Sequence, residues 1–477
     1  MGQTTRRLIA AAPLLVPALM CVYLFGSGLF DTVEVMFLLA SSVCAFLCIA
    51  RHLGQRQPEN VVIVAAGVVF FTAYIAQAIL FLVSTRTAAT SLGEAISVHS
   101  VFSMEALSAD KKDIFRSLQV VLVGFVAIAL ASLCFSGRSR KTAVTQPLRP
   151  HMTIISNPMT IGYAAIACTI FFGFLRKIFG LESPAAPALP MGLGGLINIA
   201  SSYVGPNLAM AACFFAVHQH DDKKTKRLAA ITLGLAAYNY VLFTSKLSLV
   251  LPVLFLLATQ YLLRRTILST RTLVLMGGAF VVIYPFLNLY RAALALGVGP
   301  GELIGYIGKL YASQQDSSEV DRSVVQIALS AILGRVVGYD PLLILLQAKP
   351  YPDSLLGYIL TGNLDQYLTY EILDFQDPMG YSPGFLGRIF YVSQSFSFVL
   401  IVTAGTALLI ANLTRKFWRG DIRLKFMAPL LLAYCLVFFS DGIRFELFRS
   451  LVISTVIIYS FLWIAAKVRI VPAPEAE

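Results

Sequence analysis

The chain contains two apolar segments, TLVLMGGAFVVIYPFLNLY (residues 272–290) and IFYVSQSFSFVLIVTAGTALLIANL (residues 389–413). Each is close to the ~20 apolar residues that an α-helix needs to cross the hydrocarbon core of a bilayer. Between them lies Arg291–Arg388, the longest polar and aromatic stretch of the chain. The pattern predicts two membrane-spanning helices joined by one large folded segment outside the membrane.

The composition predicts that most of the remaining chain also lies in lipid. Of its 477 residues, 57% are hydrophobic and 13% are charged, whereas soluble domains carry about 25% charged residues. Backbone groups in lipid must bond internally, so apolar runs of this length form helices. We therefore predict an all-α, polytopic integral membrane protein with about 12 transmembrane helices, at residues 8–25, 34–50, 61–84, 117–136, 155–175, 193–217, 228–243, 247–263, 272–290, 389–413, 426–440 and 450–466.

Lysine and arginine predict the orientation of these helices. The formal net charge is +12, and 22 of the 37 basic residues fall in the short connections on one side of the predicted spans. Short loops rich in Lys and Arg stay in the cytoplasm. Both termini are therefore predicted to be cytoplasmic, in a bacterial inner membrane. The basic excess serves topology and lipid headgroups, and we expect no nucleic-acid partner, because no basic and aromatic patch lies outside the membrane.

This topology divides the chain into three parts. Residues 1–290 carry transmembrane helices 1–9, residues 291–388 form a large periplasmic loop, and residues 389–477 carry helices 10–12 and a cytoplasmic tail. Within the loop, Asp340 is expected to cap a helix whose first residue is Pro341. Residues 341–347 (PLLILLQ) are too few to cross and too apolar to face water. We expect several short helices that lie on the outer leaflet.

An alternative topology remains open for the loop. In it, residues 322–348 form a thirteenth span, which puts Arg335 and Asp340 at membrane depth and moves the C-terminus to the other side. Burial of two ionisable groups in lipid makes this arrangement costly.

Five basic residues fall on the predicted outer side, where topology statistics disfavour them. They are Lys246, Arg291, Arg388, Arg444 and Arg449. A polyanion held at headgroup depth would explain all five together, and a lipid-linked diphosphate fits because its tail fixes the phosphates at that level. Contacts with ordinary lipid phosphates, reached by long side chains, are the simpler explanation for each residue alone.

Two further arginines, Arg322 and Arg335, lie inside the loop. Thirteen residues on one helix place them about 140° apart, so both cannot point into one pocket. We favour Arg335, because the turn Gly338-Tyr339-Asp340 follows it and would hold it rigidly. No metal or other cofactor is expected, since the seven cysteines all lie in apolar runs and the histidines are scattered.

Several local motifs, together with the architecture, resemble the Wzy-type oligosaccharide repeat-unit polymerases, which make O-antigens and exopolysaccharides. The shared plan is many spans, both ends inside and a large external loop late in the chain. The motifs cover roughly residues 240–415 and are Thr244-Ser245-Lys246, Tyr290-Arg291, Arg335-x-x-Gly338-Tyr339-Asp340 and Ser382-Pro383-Gly384-x-x-Gly387. The chain departs from the family at Lys246, where arginine is frequent, and at Ser393-Gln394-Ser395, where a Gly-containing turn is expected.

The resemblance implies a metal-independent glycosyltransferase that joins polyprenyl-diphosphate-linked oligosaccharide repeat units at the periplasmic face. Arg291 and Arg335 would stabilise the leaving diphosphate, and Asp340 would accept the proton of the attacking hydroxyl. The groups expected to bind diphosphate or sugar are Lys246, Arg388, Arg444, Tyr290 and Tyr339. The resemblance also implies a chain-length regulator protein as a partner.

Two other functions remain open at this stage. The O-antigen ligases share the general plan, but they depend on a histidine in the large loop, and residues 291–388 contain none. A flippase or other transporter of lipid-linked oligosaccharide would show a polar cavity within the membrane and duplicated halves. No internal repeat is visible in this sequence.

Overall fold

The structure is a computed structural model. It describes residues 30–53, 57–87, 108–135, 157–179, 193–243, 246–279, 338–348, 384–441 and 445–467, with isolated positions at 19, 22, 23, 25, 26, 28, 55, 302 and 305. All regular elements in these ranges are helical, and the described residues contain no strand. The predictions for Tyr290, Arg291, Arg335 and Arg444 lie outside the described residues.

The helices follow the apolar runs of the sequence. In chain order they are α1 (Thr32–His52), α2 (Pro58–Phe70), the π-helical segment π1 (Phe71–Ala76), α3 (Gln77–Thr87), α4 (Lys111–Leu133), α5 (Pro158–Ile178), α6 (Leu193–Ile199), the π-helical segment π2 (Ala200–Val204), α7 (Gly205–His218), α8 (Asp222–Phe243), α9 (Lys246–Leu263), α10 (Tyr339–Gln347), α11 (Phe385–Ser393), α12 (Phe396–Arg419), α13 (Ile422–Lys425), α14 (Met427–Asp441) and α15 (Phe445–Lys467). The elements α2, π1 and α3 form one continuous helix, as do α6, π2 and α7.

Seven helices of the described residues are long and apolar enough to cross a membrane. They are Thr32–His52, Pro58–Val83, Lys111–Leu133, Pro158–Ile178, Leu193–His218, Phe396–Arg419 and Arg423–Ser440. Large apolar side chains cover their outer faces, among them Met36 (65% exposed) and Ile401 (67% exposed). Such a surface suits lipid, so the prediction of an all-helical membrane protein is confirmed in this coarser form. The count of twelve spans stays a prediction.

The predicted span 389–413 begins later than expected. The chain forms the short helix α11 first, ends it at Gln394, and starts α12 at Phe396. Gln394 has a left-handed backbone (φ 50°). Its side-chain oxygen accepts a hydrogen bond from Arg116 Nη2 (3.2 Å). This contact comes from another helix, which is why hydropathy along the segment did not reveal the break.

Ion pairs mark two opposite ends of the helix bundle. Arg86, at the end of α3, binds Glu34, at the start of α1, through Nη1–Oε2 (2.7 Å) and Nη2–Oε1 (2.5 Å). At the other end, Arg419 Nη2 of α12 lies 3.9 Å from Glu59 Oε1 of α2. We call the end of the bundle that holds Glu34 and Arg86 the Glu34 end. This end corresponds to the side predicted to face the periplasm.

Helix α10 differs in two ways from its prediction. Gly338 is its N-cap and Tyr339 its first residue, so Asp340 lies within the first turn and is not the N-cap. The helix is also buried rather than spread on a leaflet, since Tyr339–Leu345 are all buried. A helix that is apolar on all sides needs protein or lipid around its whole circumference, which explains the burial. Its nine residues are too few to cross a membrane.

Candidate functional site

Two glycine motifs bring the helices α10 and α11 together. A Cβ on Gly384 would lie 3.3 Å from Gly338 Cα, and a Cβ on Gly387 would lie 3.5 Å from Leu342 Cα. Gly384 also has a positive φ (+66°), which side chains other than hydrogen rarely tolerate. The backbones of the two motifs therefore touch. We call the packed helices α10 and α11 the α10–α11 pair.

The α10–α11 pair rests on the π-helical segment π1. Gly338 packs against the backbone of Ala73, where a Cβ would lie 2.8 Å from the Ala73 carbonyl carbon. Tyr74 Oη accepts a hydrogen bond from Leu386 N of α11 (2.8 Å). Gln77 Oε1 accepts one from Tyr339 N of α10 (3.1 Å). The π-helical turn and the residue that follows it therefore supply acceptors to backbone N–H groups in the first turns of both helices, which have no partner within their own helix.

Removing the Tyr74 hydroxyl should weaken this docking. In Tyr74→Phe, the buried N–H of Leu386 loses its acceptor, which costs about 1–3 kcal/mol. We expect a lower apparent melting temperature of the purified protein in detergent. The control is Tyr163→Phe, because the Tyr163 side chain is 60% exposed on the outer face of α5. Equal melting temperatures for the two variants would contradict the role given to Tyr74.

The contacts with π1 bury two ionisable residues beside a candidate membrane span. Residues 73–77 lie within the candidate span Pro58–Val83. Asp340, on the first turn of α10, is 6% exposed, and Arg388, on α11, is 4% exposed. Irregular backbone at such depth is tolerated where protein surrounds it. An ionisable residue buried there is costly, and its retention points to a function.

Tyr339 serves to hold α10 in place. The ring is fully buried and packs edge-on against Phe81, with centroids 5.8 Å apart. Its hydroxyl oxygen accepts a hydrogen bond from Ser117 Oγ of α4 (2.9 Å). Stacking of Tyr339 on a sugar ring stays a prediction, and it would require α10 to move.

A network of charges surrounds the α10–α11 pair at the Glu34 end. Glu34 is fully buried, and Arg86, its partner, lies over the ring of Phe30 (5.8 Å to the centroid). Lys111 Nζ contacts Asp31 Oδ2 (2.5 Å). This hydrogen bond and the positive charge of Lys111 lower the pKa of Asp31 from its ordinary value. These pairs link the starts of α1 and α4 to the end of α3.

Arg116 connects α4 to the end of α11. Its guanidinium carbon lies 5.1 Å from the ring centroid of Phe390, in addition to the hydrogen bond with Gln394. The cation–π contact and the hydrogen bond together orient the guanidinium group of Arg116 toward the junction of α11 and α12. Arg116 therefore adds a fixed cation to the same end of the bundle.

The structure brings together three of the predicted site residues. Tyr339, Asp340 and Arg388 lie in the α10–α11 pair. Lys246, in contrast, is the first residue of α9, which packs against α8 and α14.

The residues that sequence reasoning missed come from the first third of the chain: Glu34, Tyr74, Gln77, Arg86 and Arg116. Arg86 and Arg116 could have been found, because the topology rule that singled out Arg388 disfavours them equally.

No protein-family model, curated protein or solved structure matches this chain. The geometry of the α10–α11 pair and the sequence motifs that form it are therefore the observations that bear on function.

A second polar cluster, part of it buried, lies among α5, α6, π2, α7 and α15. Arg176 Nη1 donates to Asn198 Oδ1 (2.6 Å) and Ser202 Oγ (3.1 Å), and Asn207 Nδ2 donates to Ser454 Oγ (3.1 Å). Four of these five side chains line a cavity of about 180 Å³. Ligand pockets usually measure about 300–1,000 Å³. In this conformation the cavity is too small for an oligosaccharide.

Proposed function

We propose that this protein polymerises polyprenyl-diphosphate-linked oligosaccharide repeat units into O-antigen, capsule or exopolysaccharide at the periplasmic face of the bacterial inner membrane. The proposal includes twelve membrane spans with both termini in the cytoplasm, and a periplasmic segment at 291–388. The observation that carries it is the α10–α11 pair, in which a motif from the middle of that segment docks against a motif from its end, with Asp340 and Arg388 buried.

The docking explains how two motifs 46 residues apart can build one site. Gly338 is fixed against Ala73, and Arg335 precedes it by three residues in the sequence. Arg388 follows Gly384 by four residues on α11. In the proposal both arginines act beside this contact, on the diphosphate of the substrate. Planar guanidinium groups match phosphate oxygens in pairs.

The proposed reaction needs no group beyond the chain and its two lipid-linked substrates. The terminal hydroxyl of the acceptor attacks the anomeric carbon of the donor, the bond from that carbon to the diphosphate breaks, and polyprenyl diphosphate leaves. Arg291 and Arg335 stabilise the negative charge on the leaving group, with Lys246, Arg388 and Arg444 in support. Asp340 accepts the hydroxyl proton. Because Asp340 and Arg388 are buried, their contact with substrate requires the α10–α11 pair to shift.

Replacing Arg335 with alanine should abolish long polysaccharide while leaving the protein in the membrane. A lost oxyanion-type donor lowers turnover by about 10²–10³-fold. The measurement is the length distribution of surface polysaccharide on a gel, with the protein level in membranes as the internal standard. Arg291→Ala should behave in the same way.

The matched control for these variants is Arg322→Ala. It removes the same side chain from the same segment, at a position predicted to face away from Arg335. Normal polysaccharide length in both Arg335→Ala and Arg291→Ala would remove these residues from the mechanism. An equal loss of long polysaccharide in all three variants would mean that removal of any one positive charge from this segment has the same effect.

The alternatives, transport of lipid-linked oligosaccharide and O-antigen ligation, predict different intermediates. A strain that lacks a polymerase still carries one repeat unit on its lipid at the periplasmic face, whereas a strain that lacks the flippase does not. The cavity beside Arg176 is the feature that a transporter would enlarge. We expect the single unit to persist when the gene is deleted, as detected by periplasmic labelling of the lipid-linked sugar. Its disappearance would favour transport.

A further inference from the structure

A long groove lies between α1 and α4 at the end of the bundle opposite Glu34. Its volume is about 570 Å³. That lies within the about 300–1,000 Å³ of usual ligand pockets. Two stripes at helical spacing line it: Cys44, Leu47, Cys48 and Arg51 from α1, and Val126, Ala129, Leu130 and Leu133 from α4. Because α1 and α4 start at the same end, the stripes run side by side in the same direction.

The groove is apolar along most of its length and shorter than one leaflet is thick. From Cys44 to Arg51 it extends about 10 Å along the helix axis. One leaflet contributes about half of the ~30 Å hydrocarbon core. Leu47 (59% exposed) and Leu133 (54% exposed) open the groove to the outside of the bundle. An alkyl chain could therefore enter from the side.

One end of the groove is positively charged. Arg51 is exposed in the last turn of α1 and is the one charged residue among the described lining residues. The sequence that follows α4 adds Arg138, Arg140 and Lys141. Anionic headgroups are attracted to basic residues that follow a membrane helix. A phosphodiester at this end would complement the charge, and a neutral or cationic headgroup would not.

We propose that this groove holds one acyl chain of an anionic phospholipid, whose phosphodiester pairs with Arg51. The lipid would bridge α1 and α4, and α4 contacts both α10 and α11. The inference does not depend on the proposed glycosyl transfer, since the groove lies far from the motifs that suggest that reaction.

The test is native mass spectrometry of the full-length purified protein with added phosphatidylglycerol or phosphatidylcholine. The wild type should retain one phosphatidylglycerol in preference to phosphatidylcholine. Arg51→Gln should reduce that preference about fivefold, the effect of one basic group near a headgroup. Arg265→Gln is the matched control, because Arg265 is equally exposed but lies on the connection after α9. It should bind like the wild type.

A second variant tests the chain-binding part of the site. Ala129→Trp fills the groove and should abolish the bound lipid of either kind, with melting temperature reported alongside to show that the protein is folded. Unchanged lipid binding in Ala129→Trp and Arg51→Gln would overturn the proposal. So would competition by inorganic phosphate, which would indicate a site for a free anion, or equal retention of the two phospholipids.

Discussion

Replacing Gly338 with alanine should both destabilise the protein and shorten the polysaccharide to single repeat units. The new methyl group would lie 2.8 Å from the Ala73 carbonyl carbon and equally close to Ala73 Cβ. Backbone cannot yield as a flexible side chain does, so α10 must move away from π1. Overpacking of this kind costs about 1–3 kcal/mol. The displacement also carries Asp340 away from α11, so we expect at least about a tenfold loss of polymer, because a shift of about 1 Å can cost 10²-fold in rate.

Gly405→Ala is the matched control for this experiment. Gly405 lies in α12, and a Cβ there would meet no atom within 4 Å. The alanine should leave polysaccharide length unchanged and raise helix stability by up to about 1 kcal/mol. Both variants are compared by apparent melting temperature in detergent and by the gel profile of the polysaccharide. If Gly338→Ala has the same melting temperature and the same polysaccharide profile as Gly405→Ala, the α10–α11 pair does not depend on contact with π1.

Breaking the Glu34–Arg86 pair should produce the largest loss of stability. In Arg86→Met, a fully buried carboxylate is left without its two-bond partner. Loss of one partner from a buried pair costs about 3–5 kcal/mol. Because the Arg86 side chain is 28% exposed, solvent screens part of the interaction, and we expect about 2–4 kcal/mol. The measurement is the apparent melting temperature, together with the amount of protein in membranes.

The double variant Glu34→Met with Arg86→Met distinguishes the pair from simple side-chain packing. Replacing both charges by apolar groups removes the desolvation cost along with the attraction. We expect the double variant to lie within about 1 kcal/mol of the wild type. A double variant as unstable as Arg86→Met would mean that other contacts carry the stability, such as the approach of Arg86 to Phe30 or the hydrogen bond from Asp31 N to Glu34 Oε2 (3.0 Å).

The helices that the sequence predicted well are those with one long apolar run and a clear boundary. The run 34–50 became Thr32–His52, and the run 155–175 became Pro158–Ile178. Two of the helix breaks within a run were not predictable. The segment π1 contains neither glycine nor proline, and the left-handed residue that separates α11 from α12 is a glutamine. The segment π2, in contrast, is followed directly by Gly205-Pro206, and a proline inside a helix distorts the turn before it.

Only the part of the candidate site that comes from the later half of the chain was predicted from the sequence. The motifs around Gly338 and Gly384 could be recognised in the sequence as glycines next to polar residues, and the structure brings these two glycines into contact. Their support was not visible, because Gln77 and Ser117 are 262 and 222 residues away from Tyr339 in the chain. Single polar residues in apolar runs carry no information on their partner. The burial of α10 followed from its all-round apolarity, which the sequence did show.

The most direct measurement combines the purified protein in nanodiscs with a synthetic polyprenyl-diphosphate-linked repeat unit. The products are separated on a gel and compared with those from Arg335→Ala. The account predicts a ladder with steps of one repeat unit, formed without added nucleotide sugar and missing in the variant. A folded wild-type protein that leaves the single unit unchanged would contradict it.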